Sequence, residues 1–316
     1  MINNEGPCDD APKPAGPHED ESKAVGSQAD GPGNWSDIGV FLVAFLDIPG
    51  QRDALSALQK LGRLPDPDVR ELDSLLRRTH LAVAAFRIIF SSLVPTFYKG
   101  LCTNQAGLFG EFAPPEPRFH FFADTCVSYV RMAERANDKP VLQLMVCEAF
   151  LAGLAAAFVQ MLGEGHPLRG CVNLGWGWEI GGRELYGPVV SEAYELERTA
   201  AQYSRVIVSP ALVSRLAAIV KAKPRVDYVD AESLATKVRE LLYVDLDGHR
   251  ALDYLGKRMV DLCTDTTKDS VRKAQGFLSD EAKLFEHERN TTQAIRTRLT
   301  QMYFFSRADL WSGKRE

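Results

Sequence analysis

The 316-residue chain has no Cys-x-x-Cys pair, no repeated segment and no excess of basic residues. Its six cysteines (Cys8, Cys102, Cys126, Cys147, Cys171 and Cys263) are scattered, and four sit within apolar segments. That pattern excludes a zinc site or a disulfide framework and fits reduced core thiols in a cytoplasmic protein. The formal net charge of −5 and pI near 5.8 argue against a nucleic-acid-binding surface. No apolar run reaches membrane-spanning length, since the nearest, 141–162, is interrupted by Gln143, Glu148 and Gln160. No membrane partner is therefore expected. A basic region followed by an apolar stretch is missing from the first residues, so no signal peptide is read.

With 45% hydrophobic and 25% charged residues, the composition is that of an ordinary globular chain, long enough for one large domain or two. Residues 1–35 are rich in Pro, Gly, Asp, Glu and Ser and are expected to be disordered. Order begins with Phe41 to Leu46, six apolar residues that predict a strand buried on both faces. Asp47 ends this run, followed by Ile48, Pro49 and Gly50. Pro49 cannot donate to a ladder and Gly50 is free to take positive φ, so the chain turns here. A carboxylate at the tip of a buried strand beside a glycine turn suits a hard cation and a phosphate. It equally suits an acid that caps the following helix.

The spacing of Leu55, Leu58 and Leu61 predicts a helix over 51–61, which Pro65 and Pro67 end. A long helix is expected over 67–98, then a loop over 101–117. Residues 118–129 read as two short strands joined at Asp124, with Arg118, His120, Phe122 and Asp124 alternating onto one face. Asp124 is the second acid at the tip of an apolar strand. A helix apolar nearly all round is expected over 139–163, a strand over 168–180, a hairpin turn at Gly181–Gly182 and a helix over 188–201. Trp176 and Trp178 alternate with glycines and are placed at a dimer face or sheet edge. A short strand at 206–208, a helix from Pro210, a hairpin turning at Asp247–Gly248 and an amphipathic helical tail over 268–305 complete the reading. Hairpins mixed with crossover helices imply an α+β sandwich with a mainly antiparallel sheet.

Two carboxylates on neighbouring strand tips repel unless a cation lies between them. With two magnesium or manganese ions they form a cage for a triphosphate, and catalysis then rests on positioning and charge stabilisation. The motifs around them resemble those of class III nucleotidyl cyclases. The F-x-D-I-x-G metal motif is matched by Phe45-Leu-Asp47-Ile48-Pro-Gly50, and the second metal Asp by Asp124 in Phe-Phe-Ala-Asp-Thr. The R-x-G-I-x-x-G strand is similar to Arg169-Gly-Cys-Val-Asn-Leu-Gly175, offset by one residue. The G-x-x-V-N-x-A-x-R-L-E helix is similar to Gly187-Pro-Val-Val190-Ser191-Glu-Ala193-Tyr194-Glu195-Leu196-Glu197. The four pieces keep the family's order over about 38–215.

The resemblance implies a class III cyclase-like, ferredoxin-like sandwich over 36–223, followed by a hairpin and helical extension over 224–316. It implies that Asp47, Asp124 and the Ile48 carbonyl hold two Mn2+ or Mg2+ ions, in a head-to-tail homodimer with the site at the subunit boundary. Gly50, Gln51, Arg118, His120, Ser191 and Tyr194 are the candidate nucleotide contacts. Arg118, Arg169 and Arg183 are candidates to offset charge on the departing phosphates. The departures concern the base and the transition state: Ser191 and Glu195 stand where purine cyclases carry Asn and Arg, His120 where they carry a base-reading Lys, and Gly182 near the position of its acidic partner. With Tyr-Gly-Pro at 186–188 and the Asp-Leu-Asp-Gly segment at 245–248, the chain is most similar to the bacterial pyrimidine (uridylate/cytidylate) cyclases of the Pycsar antiphage system. The expected activity is cyclisation of UTP, or else CTP, to a 3′,5′-cyclic nucleotide and diphosphate, the product being read by a separate effector. An adenylate or guanylate cyclase, and a cyclase fold that binds a nucleotide or partner without turnover, are the alternatives.

Overall fold

The computed structural model describes residues 38–63, 68–103, 115–133, 140–182, 184–222, 225–226 and 229–312. The segment 1–35, Pro65, Pro67, most of the 101–117 loop and Arg183 lie outside the described residues.

β1 (Ile38–Asp47) is the central strand of an eight-stranded sheet. On one side it pairs antiparallel with β3 (Thr125–Ala133), and β3 pairs in turn with β2 (Arg118–Phe122). On its other side it pairs antiparallel with β4 (Arg169–Ile180). β5 (Glu184–Tyr186) folds back on β4. Beyond β4 lie β6 (Val206–Val208), then β10 (Arg250–Leu252) and β9 (Leu242–Val244). The β4–β6 pair is parallel and the other pairs are antiparallel, so the α+β sandwich with a mainly antiparallel sheet is found as expected.

Alternation along β1 supplies two cores. Val40, Leu42, Ala44 and Leu46 enter the main core, whereas Phe41 and Val43 enter a smaller one on the opposite face. The main core is built around α3 (Pro140–Gly163), which is apolar on every side and buried along nearly its whole length. A helix without a polar face needs neighbours all round it, and α3 has them. α2 (Val69–Thr103) and α8 (Asp265–His287) flank it, while α6 (Ala231–Arg239) and the sheet cover the rest. Gly153 sets the α2–α3 approach, because a Cβ there would lie 2.9 Å from the Val94 carbonyl oxygen. α2 carries Pro95 inside it and runs on to Thr103 rather than ending at 98.

By length and composition, α2 and α3 are each apolar enough to cross a membrane, which corrects the run-length reading of the sequence. The isolated polar residues of α3 lower its mean hydropathy too little to matter. In the fold, 94% of the apolar window of α3 is buried, against 33% for α2.

The chain after 224 contributes to the same core. α6 and α8 pack on α3, and α9 (Thr291–Ser306) packs on α8. The amphipathic helical tail over 268–305 consists of two helices, divided at Arg289, which takes a φ of 56°, and Asn290, whose side chain caps α9 by accepting from the Gln293 N–H. Asp253 receives Arg307 and the Tyr303 hydroxyl, and the Trp311 indole donates to the Leu255 carbonyl at 2.8 Å. Buried Arg205 joins the β9–β10 turn through Asp245 and Asp247. The sharpest electrostatic dependence lies in α3. Glu148 is fully buried, and Arg258 of α7 (Lys257–Leu262) neutralises it, with Nε 2.9 Å from Oε1.

Removing one partner of a buried pair leaves a charge without compensation. Arg258→Met is therefore expected to cost about 3–5 kcal/mol of unfolding free energy. The double variant Glu148→Leu/Arg258→Met should regain most of it. Urea denaturation of the two variants tests this; equal losses in both would refute it.

Candidate active site

Register fixes what surrounds Asp47. Its cross-strand partners are Thr125 on β3 and Arg169 on β4. The next residue, Ile48, continues the ladder, its N–H donating to the Asp124 carbonyl at 3.1 Å. Asp124 sits in the two-residue turn between β2 and β3, so both expected acids stand at adjacent strand tips. Their charges interact. Burial raises the Asp124 carboxyl above the usual aspartate range, its own N–H opposes this, and the Asp47 charge adds to the rise. The turn is strained: Ala123 takes a φ of 48°, where a hairpin normally carries glycine.

Asp47 is held from both sides. Thr125 Oγ1 donates to Oδ1 at 3.3 Å, and Arg169 donates to Oδ2 from Nη2 at 2.9 Å and from Nε at 3.1 Å. Arg169 Nε also lies 2.7 Å from Oε1 of Glu197, near the C-terminal end of α4 (Pro188–Ala200). Glu197 is 2% exposed, and among the described residues its Oε1 receives no hydrogen bond despite that approach. Burial raises its carboxyl above the ordinary glutamate value, with Arg169 opposing and Asp47 adding. Glu197 was not among the sequence candidates. Its only sequence signal is its place at the end of the helix that resembles the cyclase motif.

Pairing across the sheet orders the remaining candidates in rows on the face that Asp47 occupies. Phe122, Thr125, Asp47 and Arg169 form the first row, and His120, Val127, Phe45 and Cys171 the next. Arg118, Tyr129, Val43 and Asn173 form the third. Successive rows are about 7 Å apart. The structure therefore puts Arg118, His120 and Phe122 on one face, as alternation predicts, with Asp124 in the turn beyond them. His120 packs against the Phe122 ring at 4.0 Å between centroids. Arg118 turns away from the acids, donating to the Gly182 carbonyl at 2.6 Å and to Glu179, which also accepts from the Tyr129 hydroxyl at 3.0 Å.

α4 covers part of this face. Val189 lies directly on the β4 backbone, 3.1 Å from where a Cβ of Gly177 would stand, and a Cβ on Gly187 would meet Gly177 Cα at 3.1 Å. Glycine at both positions permits the approach. Tyr194 stacks edge-on to Phe45 at 5.4 Å, above the row next to Asp47. Ser191 is exposed, and Glu195 is tied to Arg198 at 2.8 Å. On the other side of Asp47, Gly50 takes a φ of 89° and opens α1 (Gln51–Leu61) with no side-chain cap among the described residues, so the first N–H groups of α1 can serve an anion. Beside them Gln51 Oε1 is buried and has no partner among the described residues.

The donor set fits a divalent cation of the magnesium or manganese type. Asp47, Asp124 and the Ile48 carbonyl are hard oxygen donors. Asp47, Asp124 and Glu197 against Arg169 leave two negative charges when all are ionised. Among the described residues, no group of three or more His, Cys, Asp or Glu side chains is assembled to hold a metal. The rest of a coordination shell would thus come from backbone, water and phosphate oxygens, the usual manner of magnesium bound with a nucleotide.

No protein-family model matches the chain, and no curated protein matches it. Similar solved structures include a crystal structure of a guanylyl cyclase, with a TM-score of 0.31 and 12% identity over 61% of this chain and 88% of that one. A bacterial light-regulated adenylyl cyclase gives a TM-score of 0.27 and 13% identity over 64% of this chain and 57% of that one.

The raised Asp124 carboxyl carries a testable sign. The folded state holds this proton to higher pH than the unfolded chain, so ionisation above the ordinary value of 3.8 weakens the fold. Asp124→Asn should therefore melt above the wild type at about pH 7, with the gap closing towards about pH 4. Thermal melts in chelator-treated buffer measure this. A variant that melts below the wild type at neutral pH refutes it.

Proposed function

We propose that the protein is a metal-dependent nucleotidyl cyclase that converts UTP, or secondarily CTP, to the 3′,5′-cyclic nucleotide and diphosphate. The observation that carries this reading is the meeting of Asp47 and Asp124, 77 residues apart in sequence, at neighbouring strand tips joined by the Ile48–Asp124 hydrogen bond. The order of strands and helices around them, and the four cyclase-like motifs in sequence, support it.

Asp47, Asp124 and the Ile48 carbonyl would hold the cations. When bound there, a divalent cation neutralises the triphosphate and makes the ribose 3′-hydroxyl a better nucleophile. The turn at Gly50 and the first N–H groups of α1, with Gln51, face the phosphates. The 3′-hydroxyl gives its proton to water, and its oxygen forms a bond to the α-phosphorus as the bond to diphosphate breaks. Arg118 and His120 on β2, and Ser191 and Tyr194 on α4, line the face available to base and ribose. The second subunit of a homodimer completes the site. Exposed Trp176, Trp178, Ile180 and Tyr186 on the β4–β5 arm supply an apolar surface for that contact. The cyclic product would serve antiphage defence through a separate effector in the cytoplasm.

A second reading has one observation in its favour. Glu195, paired with Arg198, stands where a transition-state cation is expected, and this suits a fold that binds a nucleotide without turnover.

Incubation with Mn2+ and each of the four nucleoside triphosphates separates the readings. Cyclic UMP or cyclic CMP is the expected product, a purine product reassigns the substrate, and no product with any of the four refutes catalysis. Asp47→Ala and Asp124→Ala should each lower the rate about 100-fold or more while the protein remains folded. Trp178→Arg should shift the sedimenting species from dimer to monomer. A wild type that sediments as a monomer at all concentrations refutes the arm contact.

A further inference from the structure

Arg169 is shared between two acids in an unequal way. Its Nε and Nη2 both donate to Oδ2 of Asp47. Glu197 Oε1 is 2.7 Å from the same Nε, yet off the N–H direction, and this oxygen is buried without a hydrogen bond. A cation on Asp47 and the guanidinium on Asp47 compete for one carboxylate. If Arg169 had no second acid, cation binding would leave a half-buried guanidinium without a counter-charge. Glu197 sits where a small rotation of the guanidinium would turn the Nε–H from Asp47 towards its empty Oε1.

We infer that Glu197 is a positioning residue that retains Arg169 when a divalent cation takes Asp47, so that the cation displaces the guanidinium without expelling it. The inference rests on the reading of Asp47 as a metal ligand. The exchange is balanced in charge: the cation gains the Asp47 carboxylate, and Arg169 passes from a shared pair to a direct pair with Glu197. Asp47 is thereby ordered in the absence of metal and open in its presence.

The test is Mn2+ affinity of the full chain without nucleotide, read from the electron paramagnetic resonance signal of free Mn2+. Glu197→Gln should weaken binding about tenfold in the wild type and no more than about threefold in an Arg169→Gln background. Equal factors in both backgrounds make Glu197 merely a nearby charge and overturn the inference. They would leave the metal site standing. A wild type that binds no Mn2+, or binds it equally well after Asp47→Asn, overturns the metal reading and this inference together.

A second measurement needs no Glu197 variant. The Arg169 Nε–H resonance, assigned by its loss in Arg169→Gln, should shift on addition of Mg2+ and stay in slow exchange with water. Its passage into fast exchange would mean that the guanidinium is released to solvent, against the inference.

Discussion

Like charge at the end of the central strand of the sheet is the condition that the rest of this structure accommodates. β1 has apolar side chains on both faces, and its last residue is an aspartate. The backbone then adds a second acid beside the first, because the Ile48 N–H needs a partner and finds the Asp124 carbonyl. Placing those carboxyls together in a partly desolvated corner raises one of them. Arg169 offsets part of the repulsion, and Glu197 lies 2.7 Å from its Nε. Each of these groups lies on a different element: β1, the β2–β3 turn, β4 and α4.

Much of this was legible in the sequence wherever a short-range pattern decided it. The apolar run Phe41–Leu46 reads as a strand buried on both faces, and the break at Pro49–Gly50 marks its end. The alternation through Arg118, His120 and Phe122 gave the correct face. Both acids could be placed because one ends a strand and the other lies in the tight turn after one. Glu197 could not, since a glutamate near the end of an amphipathic helix ordinarily points to water. What makes it buried is Arg169, 28 residues earlier and on another element, and no local periodicity reports that contact. The persistence of α2 past Pro95 was hidden for a related reason. Packing of Val94 against Gly153 stabilises a helix that local propensity alone would end. The split between α8 and α9 has a readable cue in Asn290 followed by two threonines, masked by the amphipathic pattern on either side.

The chain after 224 reads as a hairpin and helical extension in sequence, yet in the fold it supplies part of the wall around α3. The Glu148–Arg258 pair shows the dependence most directly, since an acid in the middle of the central helix is neutralised by a residue from this later segment. The Asp253 cluster and the Arg205 contacts with Asp245 and Asp247 tie down the rest. Those polar links are buried or half-buried, so they carry more weight than the exposed i,i+3 pairs of α8.

The seating of α4 on bare backbone has a mechanical corollary. With no side chain at Gly177 or Gly187 to act as a cushion, the front of the helix is in hard contact with the aromatic arm. Its rear carries Glu197, the acid that lies beside Arg169. Thirteen residues of helix make a strut about 20 Å long. A strut in direct contact at one end transmits displacement to the other with little give. One rigid element thus spans the distance between the β4–β5 arm and the acidic corner, with Gly187 against Gly177 at its start and Glu197 beside Arg169 near its end.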